Sequence, residues 1–224
     1  MKIIVTAGPS HEPIDRVRRV TNFSTGGLGS RLAVFLADAG HEVLLFLGEG
    51  ATDQSAVSDK RVQMARFTTA EILAEQFARA AEDSKRAPVN AVFHAAAVGD
   101  YRVAAVRDES GRVLEGGKIP TSLGRIFVEM IPTCKVLGKL RGLFPGAHIV
   151  GWKYETDGGR EELIAKGRAQ MASNDTDACV LNGPAWGGEG GFGLLDRAGS
   201  LTNAGDSADL FRRLDGLVRV NPGR

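Results

Sequence analysis

The chain has 224 residues, 43% of them hydrophobic and 25% charged, which are the proportions of a folded globular protein and exclude a mostly disordered or fibrous one. Twenty-eight Lys and Arg against 27 Asp and Glu leave a formal charge of +1, so no global field draws nucleic acid or an anionic membrane, and an anionic ligand has to be held locally. The longest apolar runs, such as Val43 to Leu47, fall far short of the ~18 residues of a membrane span, and Met1 to Gly8 is too short for a signal peptide, which points to a cytoplasmic protein.

In chain order, Lys2-Ile-Ile-Val-Thr-Ala-Gly8 is a continuous β-branched run ending in glycine, the pattern of a central strand buried on both faces of a parallel sheet. Ser24 is placed to cap a helix carrying Leu28, Leu32, Phe35, Leu36 and Ala39, closed by Gly40, and His41 to Leu47 returns as a second strand. Strand, helix and strand make a right-handed βαβ unit. Val62 to Phe67 is a third strand, and Thr68-Thr-Ala-Glu71 reads as a capping box opening a helix with Ile72, Leu73, Phe77 and Ala80. A fourth strand is predicted from Val89 to Val98. Pro132 suits the first turn of a helix carrying Val136, Leu137, Leu140 and Leu143, ahead of a strand from Ala147 to Trp152. Arg160 to Met171 reads as an amphipathic helix and Asp177 to Leu181 as the strand after it.

Alternating strands and helices predict an α/β fold, a Rossmann-like doubly wound, mostly parallel sheet. Two segments interrupt it: residues 102–130, with turn signals at Glu109-Ser-Gly-Arg112 and Glu115-Gly-Gly-Lys118, predict a β-ribbon excursion, and residues 183–205 predict a glycine-rich flap and a hairpin before a final helix from about Asp206. With no internal repeat or long linker, residues 1–224 read as a single domain.

Ligands of open α/β sheets bind beyond the carboxyl ends of the strands. Among 29 glycines, Gly26, Gly27 and Gly29 open a helix whose free N–H groups and dipole suit a phosphate, but 17 residues separate them from Gly8, so the tight Rossmann turn of a dinucleotide fingerprint is missing. After the fourth strand stands His94-Ala-Ala-Ala-Val-Gly-Asp-Tyr-Arg102. Its small residues let a flat base or ribose lie against backbone, and Asp100 either accepts hydroxyl hydrogen bonds, serves a metal or caps a turn. His94 reads as a packed or backbone-bonded histidine in preference to a general base. Lys118, in a glycine-flanked loop, is suited to reach a triphosphate. Cys134 and Cys179, with no CxxC or His/Cys cluster around them, are read as plain thiols.

Asn22, Asp100 and Lys118 together resemble the phosphopantothenate–cysteine ligase (phosphopantothenoylcysteine synthetase) family. The resemblance runs in colinear order over about four fifths of the chain, through TAGPSHEPIDRVRRVTNFSTGGLG, HAAAVGDYR, GGKI, GWKYET and the strand end at Asn182. It implies a Rossmann-like homodimer that uses a nucleoside triphosphate, CTP or ATP, and Mg²⁺ to activate the carboxylate of 4′-phosphopantothenate and then joins it to the amine of cysteine. It further implies that Asn22 bonds the substrate or acyl-nucleotide carbonyl, that Gly8, Ser24, Gly26 and Gly29 cradle phosphate, that Ala95, Ala96 and Asp100 hold the nucleoside, that Lys118 holds the phosphates, that Trp152 sits near the base and that Asn182 contacts substrate. It leaves the metal ligands unassigned.

The chain departs from the usual bacterial pattern of that family. The lysine of its SSGKMG block is Gly27 here, its K-x-K-K loop is reduced to Lys118-Ile-Pro-Thr, and the lysines before its last strand match Gln170 and Asn174, so ATP is expected to serve as well as CTP. The upstream decarboxylase domain of many bacterial relatives is not expected, since the sequence opens on the ligase's first strand. A nicotinamide-dependent short-chain oxidoreductase shares the fold class, but its Tyr-x-x-x-Lys pair is supplied by neither Tyr101, followed by Ala105, nor Tyr154, followed by Gly158. A non-catalytic nucleotide sensor is the third reading.

Overall fold

The computed structural model describes residues 1–53, 55–84, 87–187 and 191–220. In chain order it holds β1 (Lys2–Ala7), β2 (His11–Pro13), β3 (Arg19–Thr21), α1 (Gly27–Asp38), β4 (Glu42–Gly48), β5 (Val62–Phe67), α2 (Ala70–Asp83) and β6 (Ala91–His94). There follow β7 (Tyr101–Asp108), β8 (Ile126–Pro132), α3 (Val136–Leu143), β9 (His148–Tyr154), α4 (Arg160–Asn174), β10 (Ala178–Asn182), β11 (Phe192–Asp196), β12 (Leu201–Ala204) and α5 (Ser207–Val220).

Eight strands make one sheet in the order β12-β11-β10-β9-β6-β1-β4-β5. Every pairing from β10 across to β5 is parallel, while β11 and β12 add an antiparallel hairpin on one edge. The chain winds outward from β1 through β4 to β5 and then crosses back to β6, so the strand order reverses between β1 and β6. That junction is the switch point at which a doubly wound sheet opens a crevice. The ribbon at 102–130 is present as the antiparallel pair β7–β8, and the C-terminal hairpin and helix follow as the sequence predicts. A second, smaller hairpin, β2–β3, occupies the polar stretch after β1. Of the glycine cluster from Gly187 to Gly193, residues 188–190 lie outside the described residues. No helix among the described residues is long and apolar enough to cross a membrane.

The central strands alternate their apolar side chains between two layers. Ile3, Val5, Leu45 and Phe93 meet Leu32 and Leu36 of α1 and Leu210 and Leu214 of α5 on one face. Ile4, Phe46, Val92 and Ile149 meet Leu73 and Phe77 of α2 and Leu140 of α3 on the other. Each fully buried Leu or Ile contributes about 1.5–3 kcal/mol relative to exposure, so these two layers hold the sheet ends that frame the crevice. His41 Nε2 meets Asp215 Oδ1 at 2.6 Å, and Arg219 donates to Ala39 O at 2.9 Å, which fastens α5 to the turn before β4.

Four local expectations need correction. Ser24 does not cap α1: the N-cap is Gly26 at φ 77, a left-handed backbone that serine would adopt only with strain, and Ser24 Oγ instead accepts from Gly26 N at 3.4 Å. The cap of α2 is Thr69, whose side chain accepts from Ile72 N at 3.2 Å, so Glu71 is free to accept from Thr133 Oγ1 at 2.7 Å. Pro132 ends β8 and stands clear of α3, because the ribbon runs on to pair Pro132 with Tyr101. The fourth strand is only Ala91 to His94, since the chain after His94 leaves the sheet to build the site.

Candidate active site

At the switch point the loops leaving β1 and β6 are sewn together by hydrogen bonds that local sequence cannot announce. Thr6 Oγ1, fully buried, accepts from Ala96 N at 3.0 Å and bonds His94 Nδ1 at 2.9 Å. Ala97 N donates to Gly8 O at 3.0 Å, Ser10 N donates to Ala97 O at 3.1 Å, and Ser10 Oγ accepts from Gly99 N at 2.8 Å. His94 lies edge-on to Phe77, and burial pulls its pKa down to about 4, so it is a neutral strut at pH 7. The packed reading of His94 holds, with a side-chain hydroxyl as its partner.

On one side of this crest lies a cleft of about 370 Å³ bordered by Pro9, Arg19, Asn22, Phe23, Ser24 and Thr25. Asn22 Nδ2 donates to Ala97 O at 3.1 Å, which fixes the carboxamide with its oxygen on the opposite side of the group. The cleft abuts the N-terminus of α1, a dipole end that suits an anion, although Thr25 Oγ1 already accepts from Gly27 N at 3.2 Å and the Asp53 carboxylate stands beside Gly27, facing Arg31 at 3.7 Å. Gly8 and Gly26 lie against each other beneath Ala51: a Cβ on Gly26 would stand 3.2 Å from Gly8 Cα and 3.0 Å from Ala51 Cβ. Gly29 is one turn deeper, buried against β1, and its place in the structure is helix-to-strand contact.

On the other side, between the carboxyl ends of β6 and β9 and helices α3 and α4, lies a cleft of about 660 Å³. Ala96, Asp100 and Trp152 border it, together with three lysines the sequence reading missed: Lys135, paired with Asp100, and Lys153 and Lys166, which meet Glu155 at 2.9 and 3.0 Å. The two lysines hold the Glu155 carboxyl below its ordinary range, Lys153 first, and Lys166 also meets Glu162 at 2.9 Å, so this wall is an ion-pair network of two ammonium groups and two carboxylates. Gln170 and Asn174 also border this cleft. Gln170 Nε2 donates to Trp152 O at 3.3 Å and lies so close over Gly151 that a Cβ there would stand 2.7 Å from it, while Asn174 Nδ2 donates to Gln170 O at 2.6 Å. The Trp152 side chain packs against the core layer of α1 and α5, with its indole nitrogen buried and without a hydrogen-bond partner among the described residues.

Of the predicted site residues, Gly8, Gly26, Gly29, Ala95, Asn182 and Lys118 border neither cleft, and the last two stand well apart from both. Asn182 ends β10 opposite Tyr154, with its Oδ1 buried and without a hydrogen-bond partner among the described residues. Lys118 is exposed in the loop between β7 and β8, beside the hairpin β2–β3. Among the described residues no group of three His, Cys, Asp or Glu is gathered to hold a metal ion. Both cysteines are free, and burial pushes the Cys179 thiol up to about 12.

Residues 1–212 match the family model of the DNA/pantothenate metabolism flavoprotein C-terminal domain. The coenzyme A biosynthesis bifunctional protein CoaBC of Thermococcus kodakarensis is 31% identical over 184 residues, which is 81% of this chain and 41% of that protein, so the chain spans about two fifths of its relative's length. The crystal structure of the DNA/pantothenate metabolism flavoprotein from Streptococcus pneumoniae shares the fold at TM-score 0.84, with 21% identity over 98% of this chain and 99% of that one. A Cab2 variant solved in complex with phosphopantothenate-cysteine does so at TM-score 0.68, with 17% identity over 91% of this chain and 80% of that one. Matched through residue 212 of 224, the chain belongs to the family of the DNA/pantothenate metabolism flavoprotein C-terminal domain.

Proposed function

We propose that this chain is a nucleoside-triphosphate-dependent ligase that joins 4′-phosphopantothenate to cysteine in coenzyme A biosynthesis. The observation that carries the reading is the shared crest: Asn22, in one cleft, is anchored on Ala97 O of the loop whose neighbours Ala96 and Asp100 border the other. A carboxylate held at Asn22 would therefore stand one backbone crossing from phosphates lying along the lysine-walled cleft. Kinship with a CoaBC protein of coenzyme A biosynthesis supports the substrate class, as does the fold shared with a protein that binds phosphopantothenate-cysteine.

A carboxylate oxygen is a very poor leaving group, so the acid has to be activated before an amine can displace it. In the first step the substrate carboxylate attacks the α-phosphorus, forming a P–O bond as the α–β bridge breaks and pyrophosphate departs with the bonding pair. In the second, the cysteine amine adds to the acyl carbonyl, nucleoside monophosphate leaves, and the amine proton passes to water. Asn22 would donate to the acyl oxygen as it gains charge, and Lys118 would neutralise the departing pyrophosphate. The first amides of α1, with Gly8, Ser24 and Gly26 around them, would receive phosphate, while Gly29 lets the helix rest on β1. Ala95, Ala96 and Asp100 would hold the nucleoside against the Trp152 main chain, since the Trp152 indole packs into the opposite layer.

The carboxylates bordering the larger cleft, Asp100 and Glu155, are engaged by lysines, and no cage of metal ligands is built among the described residues, so Mg²⁺ would be carried on the triphosphate oxygens. Bound there, the ion would supply charge neutralisation. We also read the protein as a homodimer: Tyr101, Phe127 and Met130 of the ribbon and Val20 and Phe23 beside the Asn22 cleft are exposed, and a second copy would cover them. Sedimentation at micromolar concentration should give a dimer mass, and a monomer would refute this part.

Incubation with phosphopantothenate, cysteine, Mg²⁺ and ATP or CTP tests the main reading, with NADPH binding as a control. Pyrophosphate release that requires phosphopantothenate is expected. Release that ignores it, or NADPH binding without any release, would overturn the assignment.

A further inference from the structure

Lys118 sits in a 17-residue connection between β7 and β8, where Leu114 N donates to Val106 O at 2.8 Å on one side of it and a helical turn over Thr121–Leu123 follows on the other. The segment around Lys118 is held by Asp15, at the turn of the β2–β3 hairpin and 104 residues from Ile119 in the chain. Its side chain is only 2% exposed although it lies in a surface turn. Asp15 Oδ1 accepts from Val17 N at 2.9 Å and Arg18 N at 2.8 Å, which closes the hairpin turn. Asp15 Oδ2 faces the other way: it accepts from Arg18 Nε at 2.9 Å and Nη2 at 2.5 Å, and from Ile119 N at 3.1 Å. Arg18 Nη2 also donates to Ile119 O at 2.7 Å, and Arg16 N donates to Gly117 O at 3.2 Å. The peptide groups on both sides of Lys118 are thus clamped to the hairpin that ends one residue before Asn22, and the Ile119 side chain is buried beneath them.

We infer that Asp15 is a positioning residue that fixes Lys118 relative to Asn22, so that the pyrophosphate-side cation and the carbonyl-side amide ride on one rigid hairpin. The inference rests on the ligase reading for what Lys118 does, but not for the clamp itself. Two acceptor atoms with separate duties make it testable by a small change. Asn at position 15 can keep an oxygen toward Val17 and Arg18, but it then turns an NH₂ toward the Ile119 N–H and the Arg18 guanidinium, setting donor against donor. Asp15→Ser provides a second variant, because a serine oxygen can still close the turn and cannot reach Ile119.

The experiment is a double-mutant cycle of Asp15→Asn with Lys118→Gln, and of Asp15→Ser with Lys118→Gln, read as phosphopantothenate-dependent pyrophosphate release and as ATP and CTP affinity without turnover. Lys118→Gln alone should lower turnover at least ~100-fold, as losing one strong transition-state donor does. Asp15→Asn should lower it about 10- to 100-fold, in line with a displacement of order 1 Å at a site, and change it less than about threefold once Lys118 is gone. Trypsin should cut the Lys118–Ile119 bond at least ~10-fold faster in both Asp15 variants, a readout independent of any catalysis. An Asp15 effect of equal size with and without Lys118 would make the residue merely structural, and unchanged trypsin cleavage would refute the clamp. An active Lys118→Gln would remove the lysine's role and the positioning with it. A wild-type protein that releases no pyrophosphate would sink the ligase reading alone, with nucleotide affinity and trypsin still deciding the clamp.

Discussion

Gly29 offers a test in which two ordinary rules oppose each other. In a helix interior, Gly→Ala gains about 1 kcal/mol from backbone entropy and propensity. At Gly29 the added methyl would stand 2.7 Å from Ala7 Cβ and 2.9 Å from Thr6 O, against a central strand that cannot move aside. Overpacking of a close-packed contact costs about 1–3 kcal/mol, and the immobility of β1 argues for the upper part of that range, so Gly29→Ala should lose a net ~1–2 kcal/mol. For a domain of this size that is a fall of roughly 2–8 °C in Tm. Gly216, inside α5, has nothing within 4 Å of the same position, so Gly216→Ala should raise Tm by roughly 2–4 °C. Thermal unfolding of the two variants beside wild type, at equal concentration without ligand, makes the comparison. A Gly29→Ala protein as stable as Gly216→Ala would mean that the first turn of α1 does not rest on β1, and the anion-binding geometry built on that contact would fall with it.

Burial lowers His94 from 6.5 to about 4, so between those values the unfolded chain binds a proton that the folded chain does not, and stability is lost as the pH falls through that window; the loss should be roughly 3 kcal/mol. Urea titrations of wild type and His94→Gln at pH 7 and pH 4 should show the gap between them shift by about that amount, and parallel curves would mean His94 is not buried neutral. Asn22→Asp places a carboxylate where negative charge develops and should cut turnover at least ~100-fold, while losing the exposed hydrogen bond to Ala97 O should cost only about 0.5–1.5 kcal/mol of stability; normal turnover would remove Asn22 from the chemistry. Gln170 and Asn174 stand uncharged at the larger cleft, so ATP should support kcat/KM within about tenfold of CTP. A preference above ~100-fold for CTP would show that backbone groups around Ala96 and Cys134 read the base.

Sequence alone carried the α/β class, most strands and helices within a few residues, the ribbon, and the loops in which the candidate site would lie. Hydrophobic period and terminal glycines are local signals, and the runs from Lys2 and Glu42 bury both faces whatever the rest of the chain does. Local chemistry misled where a neighbour decided the matter. The start of α1 went to Gly26 and not Ser24 because the chain must turn left-handed beneath Ala51, and Pro132 stayed in the ribbon because Tyr101 was there to pair with it. The count of lysines missing from expected positions suggested a thinned anion site, yet Lys135, Lys153 and Lys166 bring charge to the same cleft from three separate elements. No spacing rule could have gathered them, nor linked Asn22 to Ala97 across 75 residues or Asp15 to Ile119 across 104. Amino-acid order sets which elements form, because backbone conformation answers to neighbours a few residues away. Which side chains meet is set by the winding order that brings β1 beside β6, and only the folded sheet supplies it.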